Sequence, residues 1–273
     1  MPVFDSSQTM MAGAAAQATG GIDVGTYTDG KSLTFNDGSS QFLYDTPAGE
    51  GSRDIWTFSC WIKRHTLGTY QSIFGAWSSD ADRDVLRFTD GDTLNWQSSQ
   101  SSSTKELLTN RKFRDTSAWY HIVLKVDTTL TTETDRYRLY VNGVEETDLA
   151  TNTAHSGASG KVNDDVIHWI GARGHGAGPT VDSYGDFSLA GISLVDGKSL
   201  DPSAFAHESP ETGAWVMEDI PTNEAAATGG NLVSHAGQYR VHKFTSNGTI
   251  SFSQGGKVEY LVVGAGGGGG GNY

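Results

Sequence analysis

The chain closes on YLVVGAGGGGGGNY, in which Gly264, Gly266 and Gly269 stand at the G-x-G-x-x-G spacing behind an apolar run. That spacing serves dinucleotide chemistry only when a helix follows, so that its first N–H groups meet the pyrophosphate. An acid must also lie about 20 residues further on. Only Asn272 and Tyr273 follow Gly271, so neither requirement is met. A run of residues without side chains either stays flexible or is held where backbones approach closely. The abrupt stop raises the expectation that more glycine-rich chain follows in the intact gene product.

Hydrolytic chemistry has no visible carrier. Glycoside hydrolysis needs two carboxylates converging on one bond, about 5 Å apart for retention or about 6.5–9.5 Å for inversion. No E-x-D-x-x-E strand motif occurs, and the adjacent pair Glu145 and Glu146 would point to opposite faces of a strand. The histidines are scattered, with no Ser-His-Asp or H-E-x-x-H arrangement. The single cysteine, Cys60, excludes an intrachain disulfide framework and a multi-cysteine zinc site. Within WTFSCWI it reads as a small buried hydrophobe. The chain is expected to be a non-enzyme.

Composition excludes further classes. A net charge of −13 and a pI near 4.9 argue against a nucleic-acid surface, which needs clustered Lys and Arg. No stretch approaches the ~18 apolar residues that a spanning helix requires, so no membrane insertion is expected. MPVFDSSQTMMAGAAAQATGG has no basic n-region and only a short apolar run, unlike a secretory leader.

The elements that must position any site are strands. KSLTF (31–35), SQFLY (40–44), WTFSCWIKR (56–64), QSIFGAW (71–77), DVLRF (84–88), TLNWQ (93–97), WYHIVLKVD (119–127), YRLYVNG (137–143), DVIHWIGA (165–172) and FSLAGISLVDG (187–197) follow one another between polar turns. Alternation puts Trp56, Phe58, Cys60 and Ile62 on one face, and Tyr120, Ile122, Leu124 and Val126 on another. Asn142-Gly143 predicts a two-residue hairpin with positive φ, and Asp37-Gly38, Asp90-Gly91-Asp92 and Asp196-Gly197 predict further tight turns. Pro202 suits the first position of one short helical turn. Period-2 strands at short spacing predict an all-β sandwich over about 28–220.

The flanks differ. Residues 1–27 lack alternation and carry AGAAAQATGG, so they predict an extended arm, with Val3, Phe4, Met10 and Met11 as the side chains able to anchor it to a partner. Residues 221–237 read as a linker. Residues 238–273 read as three strands (238–246, 248–253 and 257–263) leading into the glycines. A three-stranded meander has two open edges and is near the lower limit of independent stability, which predicts more than one copy in the assembled form.

The succession WTFSCWIKR, WYHIVLKVD, YRLYVNGVEE, IGA and FSLAGISLVDGKSLDPSAFAHESPETGAW resembles the concanavalin A/laminin G-like jelly roll. VDGKSLDPSAFAHESPETGAW is similar to the closing segment of that domain in bacteriophage virion proteins. YRVHKFTSNGTISFSQGGKVEYLVVGAGGGGGG resembles the strand-plus-polyglycine module of phage tail-fibre and adhesin proteins. Together these matches cover about 28–273. The resemblance implies a non-enzymatic virion protein, a tail fibre or spike component held by its N-terminal arm to other virion proteins and touching a host-surface glycan. It favours stacked polyglycine and a trimer. A head-decoration fibre, or a glycan-binding module of a secreted carbohydrate-active protein, are the alternatives.

Two kinds of site follow from that resemblance. Aromatic rings beside Gly- and Ser-rich turns could stack on a sugar, which selects Tyr70, Trp77, Trp96, His175 and Tyr184. GARGHGAGP (171–179) adds Arg173, and with His175 forms the leading rim candidate. Trp56, Trp61, Trp119 and Trp169 read as core. The domain's calcium chemistry uses Asp side chains and carbonyls, which selects Asp80, Asp82 and Asp84, with Asn163-Asp164-Asp165 as a second loop; a purely solvated acidic loop is the other reading of both.

Overall fold

The computed structural model describes residues 32–157, 160–175, 180–209, 212–217, 227–236 and 239–252. The arm with Val3, Phe4, Met10 and Met11, the strand at 257–263 and the glycine run lie outside the described residues. The chain divides into two compact units, Met1–Ile220 and Pro221–Tyr273.

In the first unit, β1 (Leu33–Phe35), β2 (Leu43–Asp45), β3 (Ile55–Arg64), β4 (Gln71–Ser79), β5 (Asp82–Phe88), β6 (Thr93–Gln100) and β7 (Ser103–Lys112) come first. They are followed by β8 (Tyr120–Asp127), β9 (Tyr137–Val141), β10 (Val144–Glu145), β11 (Leu149–Asn152), β12 (Ile167–Ile170), β13 (Arg173–His175), β14 (Thr180–Asp182) and β15 (Phe187–Asp196). Two antiparallel sheets result: six strands in the order β1-β15-β3-β8-β9-β10, and seven in the order β11-β7-β6-β5-β4-β12-β2. Only short 3-10 turns interrupt the described strands, among them Pro202–Ala204 with proline at its start. This is the all-β sandwich that the alternation predicts.

The core forms where the two sheets present their apolar faces. Trp56, Phe58, Cys60 and Ile62 from β3 meet Tyr120, Ile122, Leu124 and Val126 from β8 on the inner face of one sheet. Phe74, Leu86, Phe88, Leu94 and Leu107 oppose them from the other, and Phe58 stacks on Phe74 at 4.5 Å. Burying each such side chain removes about 1.5–3 kcal/mol of unfavourable hydration. Cys60 is free and fully buried, which raises its thiol pKa and leaves it inert. The β9–β10 hairpin turns at Asn142 (φ 50) and Gly143 (φ 80), the positive dihedrals that an Asn-Gly turn supplies.

Several expectations require correction. Trp96 is 1% exposed and packs edge-on against Trp56 and Tyr137, so it belongs to the core and offers no face to a ligand. Trp61 lies on the outer face of the six-stranded sheet, where it stacks on His121 at 5.0 Å. STKELLTNRK forms β7, a strand not read from the sequence because its residues are mostly polar and only Leu107 and Thr109 are buried in it. Beyond β15, β16 (Ala206–Glu208) pairs with β17 (Trp215–Met217).

In the second unit, β18 (Ala227–Thr228), β19 (Leu232–Ala236), β20 (Tyr239–Lys243) and β21 (Ser251–Phe252) form two ladders, β19 with β20 and β18 with β21. The strand at 239–243 therefore pairs backwards with 232–236, inside the segment read as a linker, rather than forwards with 248–253.

Candidate binding face

Strand alternation sends Asp84, Leu86 and Phe88 of β5 inward and Arg83, Val85 and Arg87 outward. The pairing register then builds a transverse row on the outer face of the seven-stranded sheet: Tyr44, Trp169, Gly75, Val85, Gln97 and Glu106, one residue from each of six adjacent strands. The row runs from aromatic at one end to polar at the other. Beside it, Trp77 stands directly opposite Arg83, and Arg87 opposite Asn95.

A loop excursion covers part of this face. It closes where the Gly185 N–H donates to the Gly171 carbonyl at 2.8 Å. Gly171 has φ +82, and a Cβ there would sit 2.5 Å from the Phe35 ring, so only glycine fits. Within the excursion β13 pairs with β14, and Arg173 donates to both oxygens of Asp182 at 2.9 and 2.6 Å. Gly174 lies on the indoles: a Cβ there would meet Trp169 Nε1 at 2.8 Å and Trp77 Cγ at 2.9 Å. Residues 176–179 of GARGHGAGP are outside the described residues.

The aromatic end is continuous. Trp169 meets Tyr44 at 5.4 Å and Phe42 at 5.5 Å, and Phe42 meets Tyr184 at 6.1 Å. Trp169 is buried, yet it lies outside the intersheet core, beneath this cluster. Tyr44 is 52% exposed and Tyr70 is 44% exposed, so two rings remain open to a ligand. The Arg87 guanidinium lies 5.0 Å from the Tyr70 ring centre.

The polar end is rich in donors. Arg87 donates to Asn95 Oδ1 at 3.3 Å and Gln97 Oε1 at 3.5 Å, and Asn95 donates to Glu106 at 3.2 Å. Arg83 donates to the Asp80 carbonyl. Burial, and next the neighbouring Arg173 guanidinium, hold the pKa values of both Arg83 and Arg87 below the ordinary arginine range.

Of the ligand candidates read from the sequence, Tyr70, Trp77, Arg173 and Tyr184 therefore come together on or over this face. His175 is exposed at the end of β13. Reading the sequence missed Phe42, Tyr44, Arg83 and Arg87. The alternation of DRDVLRF was the available signal for the two arginines, because it separates their face from that of Leu86 and Phe88.

The calcium candidates do not converge. Asp84 is buried, and its carboxylate accepts from the Lys161 N–H and, at 2.9 Å, the Val162 N–H; burial raises its pKa. Asp82 accepts from the Ser101 N–H at 3.0 Å, bracing the turn between β6 and β7. Asp80 is exposed. In the second loop, Asp164 binds Lys161 at 2.9 Å and Arg53 at 3.6 Å, while the Asn163 amide donates to the Ser52 carbonyl and Asp196. Among the described residues, no group of three or more His, Cys, Asp or Glu could hold a metal ion.

The opposite face carries two serine–histidine contacts, Ser59 Oγ to His121 Nε2 at 2.9 Å and Ser188 Oγ to His65 Nε2 at 3.1 Å, with Asp186 3.6 Å from His65 Nδ1 and Thr34 Oγ1 2.9 Å from Ser188 Oγ. The polarity of the first is wrong for a nucleophile. Trp215 Nε1, which can only donate, lies 2.9 Å from His121 Nδ1, so Nδ1 accepts. Burial pushes the His121 pKa down to about 4, so the ring is neutral, carries its proton on Nε2 and donates to Ser59. A general base would have to accept there. Glu145 pairs with Arg138 and Glu146 with Arg111, so that carboxylate pair is separated as well.

A family model described as the concanavalin A-like lectin/glucanases superfamily matches residues 36–194. No curated protein matches the chain. Among solved structures, a heptameric SAP-like pentraxin from Limulus polyphemus is 17% identical, with 60% of this chain and 74% of that chain covered and a TM-score of 0.44. Domains LG4-5 of the mouse laminin alpha1 chain are 11% identical, covering 82% of this chain and 54% of that chain, with a TM-score of 0.44. The CBM40 of a Ruminococcus gnavus IT-sialidase, bound to alpha2,3 sialyllactose, is 15% identical, covering 59% and 95%, with a TM-score of 0.43.

Proposed function

Because the chain belongs to the concanavalin A-like lectin/glucanases superfamily, we propose that it is a non-enzymatic binding protein that takes glycans on the outer face of its seven-stranded sheet. The observation that carries this reading is the graded row from Tyr44 and Trp169 to Gln97 and Glu106. A sugar ring has an apolar C–H face that suits an aromatic ring and a hydroxyl rim that suits amides and guanidinium groups. Open rings at Tyr44 and Tyr70 supply the first, and Gln97 and Arg87 the second.

Fluorescently labelled full-length chain on a glycan array tests the reading. Binding to at least one glycan is expected, weakened by about tenfold in Tyr44→Ala and in Tyr70→Ala, since each removes about 1–2 kcal/mol of contact. Val144→Ala, on the opposite sheet, should retain wild-type binding. An array without signal, or binding indifferent to both tyrosine changes, would sink the proposal.

We further propose a place on a bacteriophage particle, as a tail fibre or spike component and as a trimer, with residues 1–27 anchoring the chain to other virion proteins. The support is the resemblance of VDGKSLDPSAFAHESPETGAW and of the glycine-rich segment to phage virion proteins. A head-decoration fibre is the alternative place. Deletion of residues 1–27 is expected to leave the sandwich folded and absent from purified particles. Incorporation of the truncated chain at the wild-type level would remove the arm from that role.

A further inference from the structure

We infer that the ligand of this face is an anionic saccharide, its carboxylate or sulfate oxygens seated on the guanidinium groups of Arg83 and Arg87 beside Arg173. The inference rests on the binding-face reading above and names the ligand class for it.

Three guanidinium groups from two separate elements are gathered on one face. Arg83 and Arg87 share the outward side of β5, and Arg173 arrives on the loop excursion whose Gly174 lies against Trp77, the cross-strand neighbour of Arg83; after burial, it is the next cause that lowers the pKa of both. In a chain with 19 Lys and Arg against 32 Asp and Glu, such a gathering runs against the overall charge.

The carboxylates nearby each hold another partner while still attracting this pair, Asp182 acting on Arg83 and Glu106 on Arg87. Asp182 takes Arg173 on both oxygens, and Glu106 accepts from Asn95. Asp80 attracts Arg83 from an exposed turn and offers it a backbone carbonyl. His175, at the end of β13, acts on Asp182. Arg87 is left with two neutral amide oxygens at 3.3 and 3.5 Å, at the long end for such bonds.

The face is also short of acceptors. Arg83 Nε, Trp77 Nε1 and Trp169 Nε1 are buried donors with no hydrogen-bond partner among the described residues. Buried donors are normally satisfied, so an excess of them calls for a ligand that brings acceptors and no donors. An oxyanion does so, and it relieves the mutual repulsion of the guanidinium groups. The planar fork of arginine binds carboxylate or sulfate oxygens in pairs, with bonds roughly twice as strong as neutral ones.

Two matched pairs of polymers test the inference by affinity electrophoresis of the full chain. They are polygalacturonate with its methyl ester, and dextran sulfate with dextran. At least one charged member is expected to bind and its neutral counterpart not to, and the pair that responds identifies the oxyanion. Arg83→Gln and Arg87→Gln should each weaken binding about tenfold or more. Binding should also fall between about 50 and about 500 mM NaCl, as screening shortens the reach of the charges. Arg138→Gln, which removes the same charge from the opposite sheet, should bind as wild type, and unchanged melting of each variant excludes unfolding as the cause. Equal binding of charged and neutral members, indifferent to both arginine changes, would overturn the inference and leave the glycan reading standing. Charged-polymer binding that survives both changes would overturn the residue assignment. Failure to bind these polymers together with a silent glycan array would overturn both readings.

Discussion

Lowering the pH from 7 to 4 is expected to destabilise the sandwich by several kcal/mol, with His121 and His168 as the main carriers. Burial pushes each pKa down to about 4, against an ordinary value near 6.5. Both rings are held neutral in the fold: His121 between Trp215 and Ser59, and His168 with Nδ1–H donating to the Val166 carbonyl at 2.8 Å while Nε2 accepts from the Asn163 N–H at 3.0 Å. Between about pH 6.5 and 4 the unfolded chain binds protons that the folded chain refuses, so stability falls with falling pH, by on the order of 3 kcal/mol per ring. Above this window both states are neutral and these two residues contribute no slope. Asp84 and Asp196, whose burial raises their pKa values, oppose the trend, because the folded chain takes up their protons first. All seven tryptophans lie between Trp56 and Trp215, so denaturant titrations followed by tryptophan fluorescence report on the sandwich alone. His121→Gln keeps an acceptor and a donor but cannot titrate, and should flatten the slope by up to about 1.4 kcal/mol per pH unit. Equal stability at pH 7 and 4.5, or an unchanged slope in the variant, would contradict the assignment.

Asp92→Ala is expected to cost about 3–5 kcal/mol, because it strands a buried cation. Arg64 is fully buried at the end of β3, with its guanidinium 4.3 Å from the centre of the Phe88 ring. Its Nη1 donates to Asp92 at 3.1 Å and to the Phe113 carbonyl at 2.8 Å. Asp92 also accepts from the Gly68 N–H at 2.8 Å and from Arg114 at 2.9 Å, tying three segments of the rim together. Burial alone would raise the Asp92 pKa, but the Gly68 N–H and the two arginines outweigh it and hold the pKa below the usual carboxylate range. The stability from this site is therefore present above about pH 4 and is lost as the carboxylate protonates below it. A sandwich of this size should melt about 10 °C lower in Asp92→Ala. Arg64→Met combined with Asp92→Ala should recover part of the loss, since the charge leaves with its partner. A single variant within about 1 kcal/mol of wild type would show that Arg64 finds other compensation.

Much of the fold was legible because strand alternation is a local property. In WTFSCWIKR and WYHIVLKVD one face is apolar throughout, and the pleat alone sends those residues to the core. The turn at Asn142-Gly143 was equally local, since its dihedrals depend on the two residues that adopt them. STKELLTNRK was illegible because a strand with one apolar residue turned inward carries almost no periodic signal; its neighbours β6 and β11 recruit it through backbone hydrogen bonds. Trp96 was misplaced for a related reason. TLNWQSSQ has small and polar residues on both faces, so only the pairing of β6 with β5 and β7 decides that Leu94 and Trp96 turn inward.

The candidate site divides along the same line. Tyr70, Trp77, Arg173 and Tyr184 could be chosen from residue type and nearby turns, and the separation of Arg83 and Arg87 from Leu86 and Phe88 was already present in DRDVLRF. The sequence alone therefore determined an all-β sandwich and which side chains share a face of each strand, because both follow from backbone geometry over a few residues. Only the tertiary structure decided that Tyr44, Trp169, Gly75, Val85, Gln97 and Glu106 form one row, and that the 171–185 excursion returns over it. It also set Asp82 and Asp84 apart, giving one the Ser101 N–H and the other the Lys161 and Val162 N–H groups. Such placements depend on pairings between strands as many as 125 positions apart, as between Tyr44 and Trp169; they are set by which apolar faces must be buried together, a property of the whole sandwich that no short stretch of the chain contains.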